Sequence, residues 1–245
     1  MRRLLLVGSV LLLAFASGCA HYQTPGGGVS IPAITDADIA DVLARKPAAQ
    51  FPVHMIVARV QASGYVSRSG YGYGTGQFSV LTTRDIETDD DFALLASLPG
   101  VASVGPLNRI LLPIQLRSTH ELRQAAAQLR GDIVLLYTID TQFHSENQLI
   151  GPLQVVTLGA FASEKSHIVT TCAAAFIDVR TGFVYGVAEG TSTATKRSSP
   201  WTTENALEKA RLKTEREAFE GALKEIAKTW SAINSQYSRT TVALR

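Results

Sequence analysis

The chain has 245 residues, of which 46% are hydrophobic, and a formal net charge of +2. That length and apolar content suffice to bury the core of one domain. Without Arg2 and Arg3, the 23 basic side chains fall to 21 and balance the 21 acidic ones. Because nucleic-acid binding requires a surplus of lysine and arginine on one face, we expect no nucleic-acid partner.

The first residues have the pattern of a bacterial export signal. Residues 1–3 include two arginines, residues 4–16 are an almost unbroken apolar run, and small residues lie directly before Cys19. This run of about 13 residues is shorter than the roughly 20 that a membrane-spanning helix needs. We therefore predict a signal peptide over residues 1–18.

Small residues followed at once by cysteine resemble the lipobox of bacterial lipoproteins, although Ala16 stands where leucine is usual. The resemblance implies that Cys19 begins the mature chain and carries diacylglycerol and palmitate, which anchor the protein in a membrane. Ala20 in the second position implies the outer membrane, facing the periplasm. The alternative is an ordinary secreted protein, cut at an A-x-A-like site between Ala14 and Ala20.

A tether and a short helix are predicted over residues 19–50. Residues 20–33 are rich in glycine and proline without an apolar period, as in flexible linkers. From Thr35, a short helix places Ile39, Val42 and Leu43 on one face and stops before Pro47.

The next segments predict two strands joined by an unusual loop. Residues 53–60 are nearly all apolar, as in a strand covered on both faces, and residues 78–82 can form a second strand. Between them, residues 64–77 alternate glycine with tyrosine and serine, which indicates an exposed loop or hairpin. Tyr65, Tyr71 and Tyr73 could contact a protein or a glycan there, since tyrosine supplies a large area at little entropic cost. The alternative is a disordered loop without a partner.

Two helix starts follow. Asp89, Asp90 and Asp91 favour the positive end of a helix dipole; the alternative, a calcium site, lacks the late glutamate of an EF-hand loop. Ser118 and Glu121 form a capping box for a helix that Gly131 is placed to end. Residues 110–114 are predicted as a short strand.

The second half predicts strands and one long helix. Strands are expected over residues 133–139, 153–161, 167–179 and 183–195, the last two joined as a hairpin by residues 180–182. A helix from Thr202 or Thr203 to about Ile233 carries spaced surface ion pairs, such as Arg211 with Glu215. It buries a stripe formed by Leu212, Phe219, Leu223, Ile226, Trp230 and Ile233.

These elements predict an α/β fold. We expect a two-layer sandwich, in which one mixed sheet carries helices mainly on one face and a long C-terminal helix. The domain should span residues 51–237, with a flexible tail over residues 238–245.

One pair of segments resembles a known group of envelope proteins. In residues 125–140 a predicted helix leads directly into a predicted strand, with Gly131-Asp132 where Ala-Asp is usual. The segment Asp178-Val-Arg-Thr-Gly182 forms the turn of a predicted hairpin. They resemble the curli-secretion lipoprotein, the lipoprotein activators of penicillin-binding proteins and the N-terminal domain of TolB. The likeness covers roughly residues 50–233. It implies an anticodon-binding-domain-like sandwich that makes protein contacts in the periplasm.

The cysteine and histidine residues do not form a recognisable catalytic or metal-binding motif in the sequence. Cys172 lies in an apolar strand-like run and is interpreted as a buried hydrophobe, with a catalytic thiol as the alternative. No two histidines have helical metal-ligand spacing, and His144 with Glu146 supplies only two ligands where zinc needs three or four. We expect no enzyme activity, no cofactor and no metal.

The sequence favours a non-enzymatic outer-membrane lipoprotein that works as an adaptor or regulator of another envelope protein. The resemblance to the curli-secretion lipoprotein allows a second hypothesis, a homo-oligomeric subunit of an export assembly. An envelope hydrolase is the third.

Overall fold

The computed structural model describes residues 27–28, 30, 39–147, 164–198 and 203–242. The helices are α1 (Ile39–Ala44), α2 (Asp89–Ala96), α3 (Thr119–Gln128) and α4 (Thr203–Val242). The strands are β1 (Val53–Ala62), β2 (Thr75–Gly76), β3 (Phe78–Leu81), β4 (Val101–Pro106), β5 (Gln115–Leu116), β6 (Ile133–Asn147), β7 (Glu164–Asp178) and β8 (Val184–Ser198).

Six strands form one mixed sheet: five follow the order β3-β1-β6-β7-β8, and β4 also pairs with β1. β4 lies parallel to the first half of β1, whereas β3 lies antiparallel to its second half, so the two share one side of β1. β6 is parallel to β1, and β6, β7 and β8 are antiparallel neighbours. The predicted α/β class with a mixed sheet is confirmed. β2 and β5 form a separate small parallel pair.

The central strands are buried on both faces because helices cover each side of the sheet. Along β6, Ile133, Leu135 and Tyr137 face one core cluster, while Val134 and Leu136 face the other. α4 and α2 cover the first face, and the shorter α3 covers part of the second. The helices therefore lie mainly on one face, as predicted.

α4 packs closely on β8 because the strand presents small residues to it. A Cβ atom at Gly190 would overlap the backbone of Ala218 and Ala222, so only glycine permits this approach. The predicted apolar stripe is confirmed from Phe219 to Ile233, whose side chains are buried. The helix continues to Val242, beyond the predicted end and into the predicted tail.

Two details of residues 101–116 differ from the prediction. The predicted strand over residues 110–114 is wrong: Arg109–Leu111 is a 3₁₀ turn, begun by a 3.0 Å hydrogen bond from Ile110 N to Asn108 Oδ1. Pro113 then lacks the N–H that a ladder requires, and pairing resumes only at β5. β4 was not predicted; it is a half-exposed edge segment without alternation.

The capping box of α3 is confirmed, since Ser118 N donates to Glu121 Oε2 at 3.0 Å. The helix ends through Arg130, which adopts φ of 59°. Gly131 has a different role from the one predicted, because a Cβ atom there would overlap Ile56 on β1. The predicted strand over residues 153–161 lies outside the described residues.

The turn Asp178-Val-Arg-Thr-Gly182 is organised by a fully buried carboxylate. Asp178 accepts five hydrogen bonds of 2.7–3.0 Å from the backbone N–H groups of Ala48, Ala49, Arg180 and Thr181 and from the Tyr185 hydroxyl. Such donors replace the water that a buried carboxylate loses. The motif is therefore structural, and it also fastens the segment before β1 to the β7–β8 turn.

Candidate functional site

Residues 65–72 form a small β-hairpin at the C-terminal end of β1. Ser67 N donates to Gly70 O at 2.8 Å, and Gly72 N donates to Tyr65 O at 2.9 Å. Val66 and Tyr71 form the pair between these bonds. Side chains of such a non-hydrogen-bonded pair are close neighbours on one face. We call Val66 and Tyr71 the hairpin tip; they are 67% and 65% exposed.

The opposite face of the hairpin is buried. Tyr65 is only 2% exposed, and a Cβ atom at Gly72 would overlap Ser79 on β3. Close backbone approach therefore explains the glycine at position 72. The expectation that Tyr65 offers its side chain to a partner is corrected: alternation along the strand turns it inward, away from Val66.

Tyr73 is half-buried and is hydrogen-bonded to β3 and to the loop before β5. Its hydroxyl donates to Leu112 O at 3.2 Å, and its backbone N–H donates to Val80 O at 2.8 Å. Of the three predicted contact tyrosines, only Tyr71 has an exposed ring. Tyr65 and Tyr73 hold the segment that presents it.

Ser69 connects the hairpin turn to buried charges. Its hydroxyl donates to Asp85 Oδ2 at 2.7 Å and accepts from Arg211 Nη2 at 3.2 Å. Asp85 lies in the loop after β3, and Arg211 lies on α4. The loop of residues 64–77 is thus fastened to two distant elements.

We call the residues beneath this turn the charge cluster: Arg59, Asp85, Glu87, Glu208, Arg211 and Glu215. Arg59 Nη1 lies 2.6 Å from Asp85 Oδ1 and 3.3 Å from Glu87 Oε1. Its Nη2 lies 3.5 Å from Glu215 Oε2. These four side chains are at most 7% exposed, so their mutual contacts replace hydration.

Arg211 forms the second half of the charge cluster. It holds Glu208 with two hydrogen bonds, of 3.0 Å from Nε and 2.7 Å from Nη2. Nη1 donates to Glu215 Oε1 at 2.7 Å, and Thr141 donates to the same oxygen at 3.0 Å. The Arg211–Glu215 pair was predicted on a solvated face, but it is buried and joins α4 to β1 through Glu215.

The pKa directions follow from burial and the two arginines. Burial raises the pKa of Asp85, but the Arg59 charge and the Ser69 hydrogen bond outweigh it and leave the pKa below its ordinary value. Burial and the neighbouring Glu87 raise the pKa of Tyr137 well above normal. Tyr137 therefore stays neutral and donates to Glu87 Oε1 at 2.5 Å.

The charge cluster has the properties of a structural anchor. A cavity of about 30 Å³ borders Arg59, Glu87 and Tyr137, which is room for about one water molecule. The charge cluster consists of two arginines and four carboxylates, and its side chains come from β1, from the loop after β3 and from α4. Sequence reasoning missed it, although Arg59 interrupting the apolar run of residues 53–60 was a usable signal.

The remaining predicted residues are dispersed. Cys172 is buried, as predicted, and burial raises the pKa of its thiol to about 12. Asp91 caps α2 by accepting from Thr88 N at 2.7 Å. His54 lies 2.7 Å from Ser103 Oγ at the sheet edge. Cys19 and the side chains of His144 and Glu146 lie outside the described residues, and among the side chains that are described no group of metal ligands converges.

Comparisons with known proteins give no family. No family model and no curated protein matches the chain. A dodecameric PelC variant from Paraburkholderia phytofirmans is 14% identical with a TM-score of 0.30, covering 78% of this chain and 93% of that one. A hemagglutinin homolog from Helicobacter pylori is 9% identical with a TM-score of 0.39, covering 79% and 94%.

Lipoprotein GNA1162 from Neisseria meningitidis is 13% identical with a TM-score of 0.28, covering 66% of this chain and 94% of that one. TM-scores this low assign neither a family nor a function to the chain.

Proposed function

We propose that the protein is a non-enzymatic lipoprotein of the cell envelope that uses the hairpin tip to contact another envelope protein. The observation that carries the proposal is the adjacent exposure of Val66 and Tyr71 on a hairpin fastened to the domain core. Tyr71 is retained from the contact residues predicted by sequence, and Val66 joins it.

The hydrogen bonds that restrict the hairpin favour binding of a partner protein. A mobile loop loses conformational freedom when a partner orders it, and that loss weakens affinity. Ser69 and the Tyr73 hydroxyl already restrict this hairpin through hydrogen bonds to Asp85 and Leu112. Tyr71 then adds a large apolar ring with only two rotatable side-chain angles.

The proposed location rests on the leader and on the path of the tether. Acyl groups on Cys19 would hold the domain at a membrane, and Ala20 favours the outer membrane, with the domain in the periplasm. Gly27 O accepts a 3.3 Å hydrogen bond from Ala62 N, at the base of the hairpin. In the part of the chain that the structure describes, no helix has the length and apolar content to cross a membrane.

Site-specific photocrosslinking in cells tests the contact. A photoreactive residue in place of Tyr71 should trap one discrete partner, and the additional change Val66→Ser should remove that adduct. The matched control is the same residue in place of Leu94, an exposed position on α2. If positions 71 and 94 trap the same diffuse set of neighbours, the hairpin tip is not a binding site.

Lipid attachment is tested separately by mass spectrometry of the mature N-terminus. We expect an acylated Cys19, and Cys19→Ser should move the protein from the membrane fraction to the soluble fraction. An unmodified thiol, or unchanged fractionation of the variant, would remove the membrane anchor from the proposal.

A second candidate function, a homo-oligomeric subunit of an export assembly, is favoured by β8. This strand has 15 residues and forms an edge of the sheet, and no described strand pairs with its outer side. Open edges of this length accept strands from other chains. Detergent-extracted protein should then sediment as a ring, whereas a monomer would exclude this candidate.

A further inference from the structure

A second apolar surface lies beside the hairpin tip. Ile110 and Ile114 are 84% and 59% exposed, and exposed arginines, Arg109 and Arg117, flank them in the chain. We call these four residues the Ile/Arg surface. Exposing large aliphatic side chains to water is unfavourable, so covering them with an apolar partner would lower the free energy.

Hydrogen bonds hold this surface at one end of the sheet. Leu107 N donates to Val57 O at 2.8 Å, where β4 leaves β1, and Thr75 N donates to Ile114 O at 2.6 Å. Thr75 lies three residues before Phe78, which pairs with Ala62 at the C-terminal end of β1. The Ile/Arg surface and the hairpin therefore share one end of the domain.

The two chain segments that contain the hairpin tip and the Ile/Arg surface carry only positive charges. Residues 62–84 and residues 92–120 contain no aspartate or glutamate, and together they carry four arginines. Arg109 and Arg117 thus stand in segments without local carboxylates to neutralise them. A surface that combines arginine with isoleucine is complementary to the interface of a membrane with anionic lipids.

The length of the tether brings the same end near the membrane. Gly27 is hydrogen-bonded to Ala62 at the base of the hairpin, and Cys19 is eight residues earlier in the chain. Eight residues span at most about 29 Å when fully extended. The Asp178 turn lies at the other end of the sheet, where β7 pairs with the start of β6.

We infer that the Ile/Arg surface binds the anionic lipid surface into which Cys19 is anchored. Ile110 and Ile114 enter the headgroup region, and Arg109 and Arg117 pair with lipid phosphates. This contact deepens the proposed function, because it orients the domain and presents the hairpin tip along the membrane. It rests on the proposed lipid anchor for the choice of membrane and for the reach of the tether.

Vesicle binding by the unacylated mature chain tests the inference. Residues 19–245 with Cys19→Ser should co-sediment with vesicles of phosphatidylcholine plus phosphatidylglycerol, but not with phosphatidylcholine alone. Added salt should weaken binding, because it screens the arginines. The double variant Arg109→Gln, Arg117→Gln should bind about 25-fold more weakly, at about fivefold for each charge. Ile110→Ser should cost about tenfold through lost insertion.

Matched controls separate this surface from the hairpin tip. Leu94→Ser, and Val66→Ser with Tyr71→Ser, should bind vesicles like the parent chain. Equal binding to both vesicle types, no binding, or an unaffected arginine double variant would overturn the inference. Loss of the Tyr71 crosslink in that variant with unchanged vesicle binding would assign the surface to a protein partner and overturn it too. Because the chain tested carries no lipid, failure leaves the Cys19 and Tyr71 experiments unaffected.

Discussion

Two hairpin turns in this protein are each attached to a buried carboxylate, but the donors to the two carboxylates differ in kind. At the β7–β8 turn, Asp178 Oδ1 accepts from Arg180 N and Thr181 N, two and three residues later. At the hairpin of residues 65–72, Asp85 accepts from Ser69, 16 residues away, and from Arg59, 26 residues away.

This difference shows two ways to bury a carboxylate. Four backbone N–H groups and one hydroxyl donate to the Asp178 carboxylate, so its turn needs no counter-ion. Asp85 instead depends on Arg59 and therefore on the whole charge cluster. The first turn should tolerate changes in the charge cluster, and the second should not.

The largest effect is expected when Arg59 is removed from the charge cluster. Arg59→Met leaves Asp85, Glu87 and Glu215 without their shared cation, and breaking a buried ion pair in this way costs about 3–5 kcal/mol. Urea denaturation should show this loss in the free energy of unfolding. Arg109→Met, at an exposed position, is the control and should stay within about 0.5 kcal/mol. A loss below that level for Arg59→Met would mean that the charge cluster contributes no stability.

The next effect concerns the turn at Asp178. Asp178→Asn places an amide NH₂ against N–H donors, so at least two of them lose their acceptor, at about 2–3 kcal/mol in total. Urea denaturation measures the loss. Amide exchange should also accelerate at Ala48 and Ala49 or at Arg180 and Thr181. Unchanged exchange at all four sites would contradict the assigned hydrogen bonds.

A smaller effect is expected when the hairpin is released from the charge cluster. Ser69→Ala removes the hydrogen bonds to Asp85 and Arg211 and should cost about 1 kcal/mol. Amide exchange at Ser67 and Gly72 should accelerate, and the Tyr71 crosslink should weaken. Ser235→Ala removes a hydroxyl that donates to Ala232 O within α4 and serves as the control. If hairpin exchange is the same in both variants, Ser69 does not hold the hairpin.

The smallest effect is a change in acid sensitivity. Because the folded state lowers the pKa of Asp85 from its ordinary value of 3.8, this carboxylate stabilises the fold above that pH. The contribution is lost as the pH falls from 3.8 through the lower, folded pKa. In Asp85→Asn the free energy of unfolding should decline less steeply over that range. A slope equal to that of the parent would show that Asp85 does not titrate with folding.

The local elements were predictable because their partners lie close in sequence. Ser118 and Glu121 are three residues apart, and the Asp178 turn closes within five residues. The apolar runs of β1, β6 and β7 also indicated buried strands without knowledge of their neighbours. For the candidate site, the sequence indicated the correct segment, residues 64–77, but ranked its three tyrosines equally.

Other features could not be predicted because their environment comes from distant segments. Tyr65 is buried only because β3 and the charge cluster lie beneath the hairpin. Arg211 and Glu215 match the spacing of a solvated ion pair, yet Arg59 and Thr141 enclose them. Residues 110–114 have the composition of a strand, but Asn108 starts a turn and Pro113 prevents pairing.

The amino-acid sequence alone was enough for the α/β class, the N-terminal caps of α2 and α3, the β7–β8 hairpin and the apolar stripe of α4. Each depends on alternation, on helical spacing or on hydrogen bonds within a few residues, which are properties of a short window. Tertiary structure decided which tyrosine is exposed, where the charges are buried and which surface stands beside the tether. Those outcomes depend on desolvation, which only contact between distant segments creates.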